Sequence, residues 1–308
     1  MIQRMIGLAA VAGLMTGCAA MQSTKMKQAV SANVTEKVDS KYTGPKRRVG
    51  VVDFDNKTAY GQNRLGGAAA DILITELVKT GKFVVVERDK LNKLMDEQKL
   101  GMTGAIDSTT AAQMGKVLGL NAIVTGAISN FGVNTTGSDY LITQTKRQVA
   151  QATVDIRVVD AETGQVLYAD SGKGEAKSGS GSFLGMGTKG GYNEGLEGEA
   201  LRAAVSQLVE NITSQINKKP WSCRVAEVEG PTVYIDAGSE SGMENGQKLM
   251  VFKLGREIKS PTTGLVIGRT EEKLGELVLE EVMDSMSKGR MKGAARAPSS
   301  GDLARMAN

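Results

Sequence analysis

Apolar residues in the first half of the chain follow two spacings, one typical of buried strands and one typical of helices. Continuous apolar runs at 48–54, Phe83–Val86 and 122–128 predict three buried strands. From 65 to 79 the apolar residues recur every three or four positions, which predicts an amphipathic helix that Gly81 ends. Strands that alternate with helices in this way predict an α/β sheet with helices packed against it.

The pattern changes to strict alternation near residue 153. Residues 153–159 alternate between apolar and polar, a turn follows at 160–164, and 165–169 return, which predicts a hairpin. An apolar stripe at helical spacing then predicts a long helix over 198–217. Two further helices are expected, around 91–95 and over 108–119.

A second, smaller unit is expected after Pro220. Short apolar runs separated by glycine-rich turns predict five strands, at 223–228, 232–236, 248–253, 266–269 and 276–282. Short strands at close spacing are typical of a small β-barrel, which we place at 221–286. Residues 287–308 are small and basic, and they predict a disordered tail.

The N-terminus carries a targeting signal. A positively charged start precedes an apolar run at 5–15, which is too short to span a bilayer as a helix. The letters L-M-T-G-C that end at Cys18 resemble a bacterial lipobox, which implies a signal peptide at 1–17 and lipid attachment to Cys18. The alternative is an ordinary secretory peptide with an incidental cysteine. Residues 18–46 are polar and predict a flexible tether.

Composition narrows the possible functions. The chain has 308 residues, of which 41% are hydrophobic, enough for a globular core. Aromatic residues make up 4%, and the net charge of +4 is dispersed, so we expect no nucleic-acid partner. Histidine is absent, which excludes Ser–His and Cys–His catalysis and His-containing zinc sites. Carboxylate catalysis stays open, but we predict no catalytic residue, no cofactor, no metal site and no enzymatic activity.

Several residues have both a functional and a structural interpretation. Asp53 and Asp55 lie at a strand end, where α/β sheets bind ligands, but their carboxylates could equally accept hydrogen bonds from turn amides. Glu87 and Arg88 could form a site pair, or cap a helix and pair with each other. If Cys18 carries lipid, Cys223 is the one remaining thiol, and its position beside Trp221 in an alternating stretch predicts burial.

The glycine-rich stretch at 179–187 could be mistaken for a phosphate-binding loop. It lacks the preceding buried strand and the Gly-Lys-Ser/Thr ending of such loops, so we do not expect it to bind a nucleotide. It is interpreted as a solvated loop, or as the tip of a hairpin that meets lipid.

The order of these elements resembles the CsgG/HfaB family, the curli production assembly and transport lipoproteins of bacterial outer membranes. Its distinctive parts are V-V-V-E-R at 84–88 and R-V-V-D, followed by T-G, at 157–164. The resemblance covers about 47–218 and implies a CsgG-like α/β periplasmic domain. In channel-forming members, two extended segments become membrane hairpins that a ring of subunits closes into one barrel. Segments 129–152 and 171–197 occupy those places here and look short for that role.

The channel members also narrow the pore with a loop that bears Tyr, Asn and Phe. The stretch at 59–63 does not reproduce that pattern, so no pore residue is carried over. The segment at 221–286 resembles the small C-terminal barrel of the flagellar assembly protein FlgT, which implies an added interaction module.

The resemblance implies an outer-membrane lipoprotein that faces the periplasm and acts in secretion or assembly of surface polymers. Ala19 stands where an aspartate would typically retain such a protein at the inner membrane. The expected partners are the outer membrane through lipid on Cys18, further copies of the chain in a homo-oligomer, and periplasmic proteins or an exported polypeptide. The alternative is a non-pore periplasmic scaffold or activator of envelope machinery.

Overall fold

The computed structural model describes residues 44–61, 64–86, 89–91, 93, 114–115, 117–139, 143–183, 186–187, 195–262, 264, 266–293 and 296–307. The predicted signal peptide, Cys18 and the tether up to residue 43 therefore lie outside the described residues. The same holds for Glu87 and Arg88 and for most of the helices predicted around 91–95 and over 108–119.

A mixed seven-stranded sheet forms the α/β domain. Its strands are β1 (Arg47–Val51), β2 (Asp55–Asn56), β3 (Phe83–Val86), β4 (Ala122–Asp139), β5 (Thr143–Asp160), β6 (Val166–Phe183) and β7 (Met186–Gly187). The strand order is β3-β1-β4-β5-β6-β7, and β2 pairs with β4. β1 runs parallel to β3 and β4, whereas β4, β5, β6 and β7 follow one another as antiparallel neighbours. The α/β fold class predicted from the sequence is confirmed.

Two helices, α1 (Arg64–Lys79) and α2 (Gly195–Asn217), bury their apolar stripes in the same core as one face of this sheet. α2 lies directly on β6 because that strand presents glycine where the helix backbone approaches. A Cβ atom on Gly174 would stand 1.9 Å from the carbonyl oxygen of Ala200, and one on Gly172 would stand 2.2 Å from that of Ala204. Only residues without a side chain permit so close an approach.

β4 and β5 are longer than the sequence predicts. Apolar patterning ends the first strand at 128 and begins the second at 153, yet each strand has 18 residues, and their pairing continues to Asp139 and Gln144. The hairpin over segment 129–152 therefore extends well beyond the strand ends that apolar patterning marks. Its strands leave the core near Val133, and beyond that point backbone pairing continues without the buried side chains that make a strand visible in a sequence.

The C-terminal strands form a closed barrel in the order β10-β11-β12-β9-β8-β13. They are β8 (Ser222–Glu229), β9 (Thr232–Ile235), β10 (Lys248–Lys259), β11 (Val266–Val282), β12 (Ser287–Lys292) and β13 (Leu303–Met306). The barrel has its own core, around Val225, Ile235, Leu249 and Leu277. The strands predicted at 266–269 and 276–282 are two parts of β11.

The predicted disordered tail at 287–308 is wrong, because β12 and β13 close the barrel. β12 pairs with β9 and β11, and β13 pairs with β8 and β10. Small residues at the buried positions of β12 hide that strand in the sequence. Ser287 is fully buried, and a Cβ atom on Gly289 would stand 2.1 Å from the carbonyl oxygen of Val278, so this part of the barrel has no room for the large apolar residues that usually mark a strand.

Candidate assembly surface

The upper parts of β4, β5 and β6 project beyond the core as a three-stranded ribbon. The last row of side chains packed in the core is Val133, Ala150 and Ala176, which are paired across the three strands. Six residues of β4 lie above this row and extend about 20 Å at about 3.3 Å per residue. We call this part, residues 134–139, 143–149 and 177–183, the ribbon.

Both faces of the ribbon are polar over the side chains that the structure describes, which are those of 134–137, 146–149 and 177–179. Thr136 pairs with Arg147, and Arg147 pairs with Gly179, on one face. The adjacent residues Lys146 and Gln148 turn to the other face, since successive strand side chains alternate. Val149 is the one large apolar residue in these three stretches, so neither face forms an apolar band.

The outer edge of β4 lacks a partner strand above Ile128 in the described part of the chain. Below that point, the carbonyls of Val124 and Ile128 accept hydrogen bonds from the amides of Val52 and Lys57, at 3.1 and 3.0 Å. Above the register shift between Ile128 and Asn130, β4 pairs with β5 on its other side alone. An edge of this kind presents backbone donors and acceptors to a further strand.

Below the ribbon, side chains of α2 contact the opposite edge, on β6, at Asp170 and Lys173. The Lys173 amide donates to Gln207 Oε1 at 3.3 Å, and Gln207 Nε2 donates to the Lys173 carbonyl at 2.8 Å. Close by, the Ser171 amide and Asn211 Nδ2 both donate to the carboxylate of Asp170, at 2.8 and 3.0 Å. These contacts occupy backbone groups of β6 near Lys173 that strand addition at that level would need.

The same cluster changes two pKa values. The Tyr168 hydroxyl donates to Asp170, and this bond, followed by those from Ser171 and Asn211, lowers the pKa of the Asp170 carboxyl. Burial, and after it the hydrogen bond and charge of Asp170, raise the pKa of Tyr168 to about 12. The hydrogen bonds to Asp170 therefore favour its ionised carboxylate form.

Tyr60 holds the loop before α1 against the base of the ribbon. Its ring lies 4.8 Å from that of Phe131, centroid to centroid, and its hydroxyl donates to Glu197 Oε1 at 2.8 Å. Arg64 pairs with the other oxygen of this buried carboxylate at 2.8 Å. The side chain of Tyr60, in the stretch at 59–63, therefore packs between β4 and α2.

The other candidates predicted from the sequence lie apart from the ribbon. Asp53 and Asp55 are exposed at the carboxyl end of β1 and in β2. Residues of the glycine-rich stretch form the end of β6 and the short strand β7, with 184–185 outside the described residues. Cys223 is buried in the barrel, and burial is the main cause that raises the pKa of its thiol.

Sequence reasoning missed a charged cleft between the barrel and the α/β domain. It encloses about 90 Å³ at the end of the sheet opposite to the ribbon, and its walls include Arg47, Asp160, Lys219 and Asp236. Lys219 forms an ion pair with Asp160, and Arg48 Nη1 lies 3.9 Å from Asp236 Oδ2. In the sequence, these residues mark only a turn at 160–164 and the basic residues before Pro220, because their meeting depends on how the two domains dock.

Two further observations concern the chemistry available. No group of three or more His, Cys, Asp or Glu side chains among the described residues is placed to hold a metal ion. Within the same residues, no helix has both the length and the apolar character needed to cross a membrane.

The chain is similar to several known proteins. A protein of Neisseria meningitidis serogroup B named "Putative lipoprotein NMB1126/NMB1164" is 28% identical over 224 residues, which cover 70% of this chain and 94% of that protein. Among solved structures, lipoprotein GNA1162 from Neisseria meningitidis matches 56% of this chain and 99% of its own, with 15% identity and a TM-score of 0.34. The C-terminal domain of LpoB from Escherichia coli matches 46% of this chain and 90% of its own, with 14% identity and a TM-score of 0.32.

A protein-family model also matches the chain. The family model described as "Curli production assembly/transport component CsgG" matches residues 28–246, well over half of the chain. This match includes the whole sheet and both helices of the α/β domain and continues into the first strands of the barrel. The chain therefore belongs to the family of the curli production assembly/transport component CsgG.

Proposed function

We propose that this chain is a lipoprotein of the outer membrane, anchored through Cys18 and facing the periplasm, that acts without enzymatic activity in the secretion or assembly of surface polymers. Membership of the CsgG family supports the class of function. The lipobox that ends at Cys18 and the lipoprotein name of the Neisseria relative support the anchor.

Within this class, the polar ribbon favours a periplasmic scaffold over a pore, and it is the observation that carries the proposal. A membrane strand needs apolar residues at every second position, over a band about 25 Å tall. The ribbon is about 20 Å long and alternates Lys146 with Arg147 on its two faces. A basic side chain on the lipid face costs about 2–4 kcal/mol at the bilayer midplane, and every copy in a ring would bear that cost.

The position of the tether supports the same orientation. The Lys46 amide donates to the carbonyl of Ser241 at 2.8 Å, and Trp221 Nε1 donates to the Lys46 carbonyl at 3.1 Å, so the barrel holds the root of the tether. β1 and β4 are parallel, so the root of the tether lies at the end of the sheet opposite to the ribbon. The 18 residues of β4 span about 59 Å between these two ends. A flexible tether of the predicted kind, about 28 residues from Cys18 to Lys46, has an average end-to-end distance of roughly 30 Å, which is shorter than β4. This average distance favours a ribbon that points away from the anchored membrane.

A pore is the second candidate, and the outer edge of β4 favours it. A strand from a neighbouring copy could pair with this edge, and a ring of such pairs would satisfy the backbone groups of every copy. In that case the ribbon would be part of a barrel wall.

One set of measurements on the full-length lipidated protein separates the two candidates. We expect a homo-oligomer by light scattering in detergent, no stepwise conductance in planar bilayers, and a mature N-terminus that mass spectrometry identifies as acylated Cys18. Cys18→Ser should release the protein from the outer-membrane fraction. Stepwise conductance that disappears when 178–190 are deleted would establish the pore instead, and an unmodified terminus would refute the anchor.

A further inference from the structure

The cleft between the barrel and the α/β domain carries more positive than negative charge. It lies between the start of β4, the end of β5, the residues after α2 and strand β8. Its charged walls are the cations Arg47, Lys219, Arg224 and Arg305 and the carboxylates Asp160, Glu162 and Asp236. Clefts between domains are frequent ligand sites, and the charged groups decide which ligand is favoured.

Asp160 is the most deeply buried carboxylate in the cleft, and both of its oxygens have partners. Asp160 accepts hydrogen bonds from the amides of Glu162 and Thr163, at 2.7 and 3.1 Å, through one oxygen. Its other oxygen pairs with Lys219. The two amides share the charge of Asp160 with Lys219, so this carboxylate compensates the ammonium of Lys219 only in part.

The other two carboxylates compensate the cations weakly. Glu162 Oε1 lies 3.6 Å from Arg224 Nη2, and the two side chains are 33% and 27% exposed, so water screens this pair. Burial is the main cause that raises the pKa of Asp236, against opposing effects of the Arg224 amide and Arg48. Arg305, which lines the cleft, also forms an ion pair with Glu271 outside it, with both terminal nitrogens 2.7 Å from a carboxylate oxygen. Arg48 lies outside the cleft beside Asp236, so counting both outer partners still leaves one more positive than negative charge.

The cations lie close enough to repel one another. Burial, followed by the charges of Arg47 and Arg305, lowers the pKa of Lys219. Arg47 itself is buried, and its guanidinium donates to oxygens of Asn217 and Pro220 at 3.1 and 3.3 Å. An anion inside the cleft would relieve this repulsion, and a charge-assisted bond to a planar guanidinium is among the stronger contacts in proteins.

We propose that the cleft binds one small oxyanion, a phosphate or a carboxylate group, between Lys219, Arg224 and Arg305, and that this anion strengthens the docking of the barrel on the α/β domain. The volume of about 90 Å³ is enough for several water molecules. It fits such a group and is far below the several hundred Å³ of sites for nucleotide-sized ligands.

The test is titration calorimetry of the full-length protein with sodium phosphate and, separately, sodium acetate, at an ionic strength held constant with NaCl. We expect saturable binding with one site per chain for at least one of the two anions, and a rise in Tm over the same concentration range. The anion that binds identifies which oxyanion the cleft prefers.

Variants assign the binding to the cleft. Arg305→Gln should weaken binding at least tenfold. Glu271→Gln, which breaks the same ion pair but leaves Arg305 in the cleft, should bind as well as the wild type or better. Lys218→Gln, next to the cleft cation but hydrogen-bonded to Gln215 on the exposed side, should be unchanged. Arg224→Gln is the second cleft variant if Arg305→Gln is unstable.

Two results would overturn the inference. One is a wild type that shows neither saturable heat nor a Tm rise with either anion beyond the NaCl control. The other is binding that Arg305→Gln and Arg224→Gln leave unchanged, because the anion would then lie elsewhere.

Discussion

Gly174→Ala tests the close contact that places α2 on β6. The new methyl group would stand 1.9 Å from the carbonyl oxygen of Ala200 and 2.5 Å from the amide nitrogen of Ala204. Both are backbone atoms, so no rotamer change relieves the clash, and the helix has to move by about 1 Å or more. Overpacking of this kind costs about 1–3 kcal/mol. It outweighs the stabilisation of about 0.4–1 kcal/mol that a glycine-to-alanine change brings through the unfolded chain.

The assay is thermal and urea unfolding followed by far-UV circular dichroism. A loss of about 1–3 kcal/mol lowers Tm by roughly 2–4 °C per kcal/mol for a domain of this size. The control is Gly179→Ala in the same strand, where a Cβ atom would meet nothing within 4 Å. Its stability should be unchanged or slightly higher. If Gly174→Ala is as stable as Gly179→Ala, the seating of α2 on the β6 backbone is refuted.

Three further predictions follow from the barrel and from the edge of β6. A fragment of residues 221–307 should unfold cooperatively, whereas 221–286 should show no unfolding transition, because it lacks the two strands that close the barrel; equal transitions for both would contradict the topology. Asp170→Asn should destabilise the protein at pH 7, and its difference from the wild type should shrink below about pH 4, because the lowered pKa of Asp170 stabilises the fold only while the carboxyl is ionised; a difference that is constant with pH would contradict this. Cys223 should react slowly with a thiol reagent in the native protein and quickly after unfolding, and fast native labelling would place it at the surface.

The sequence predicts those parts of the fold in which burial repeats with a regular period. The stripes of α1 and α2 and the strand β1 are buried, so their apolar residues predict the element directly. β3, predicted as a buried strand, forms as a strand at the sheet edge with Phe83 buried and its three valines half-buried. The same logic predicts a hairpin around 160–164, where Asp160 accepts hydrogen bonds from the turn amides.

The candidate site could not be predicted in the same way. The ribbon is held by backbone pairing between polar residues, so hydrophobic patterning ends at its base near Val133. β12 has Ser287 and Gly289 at its buried positions, where the barrel leaves no space for a large apolar side chain at Gly289, so no apolar pattern marks the strand. The hydrogen bonds between Gln207 and the backbone of Lys173 join residues that are far apart in the chain, and so does the cleft around Lys219. No local spacing in the sequence marks either of them.

The orientation of the ribbon is the central claim, and adjacent threonines test it most directly. Thr135 and Thr136 turn to opposite faces of β4, so one of them would face lipid in a membrane barrel and both would face water in a periplasmic scaffold. Each is replaced by cysteine in a Cys223→Ala background, spin-labelled, and measured in proteoliposomes for accessibility to oxygen and to a water-soluble nickel complex. We predict that the nickel complex reaches both labels equally. Exclusion of the complex from one label, together with high oxygen accessibility at that label alone, would contradict the scaffold and place the ribbon in the membrane.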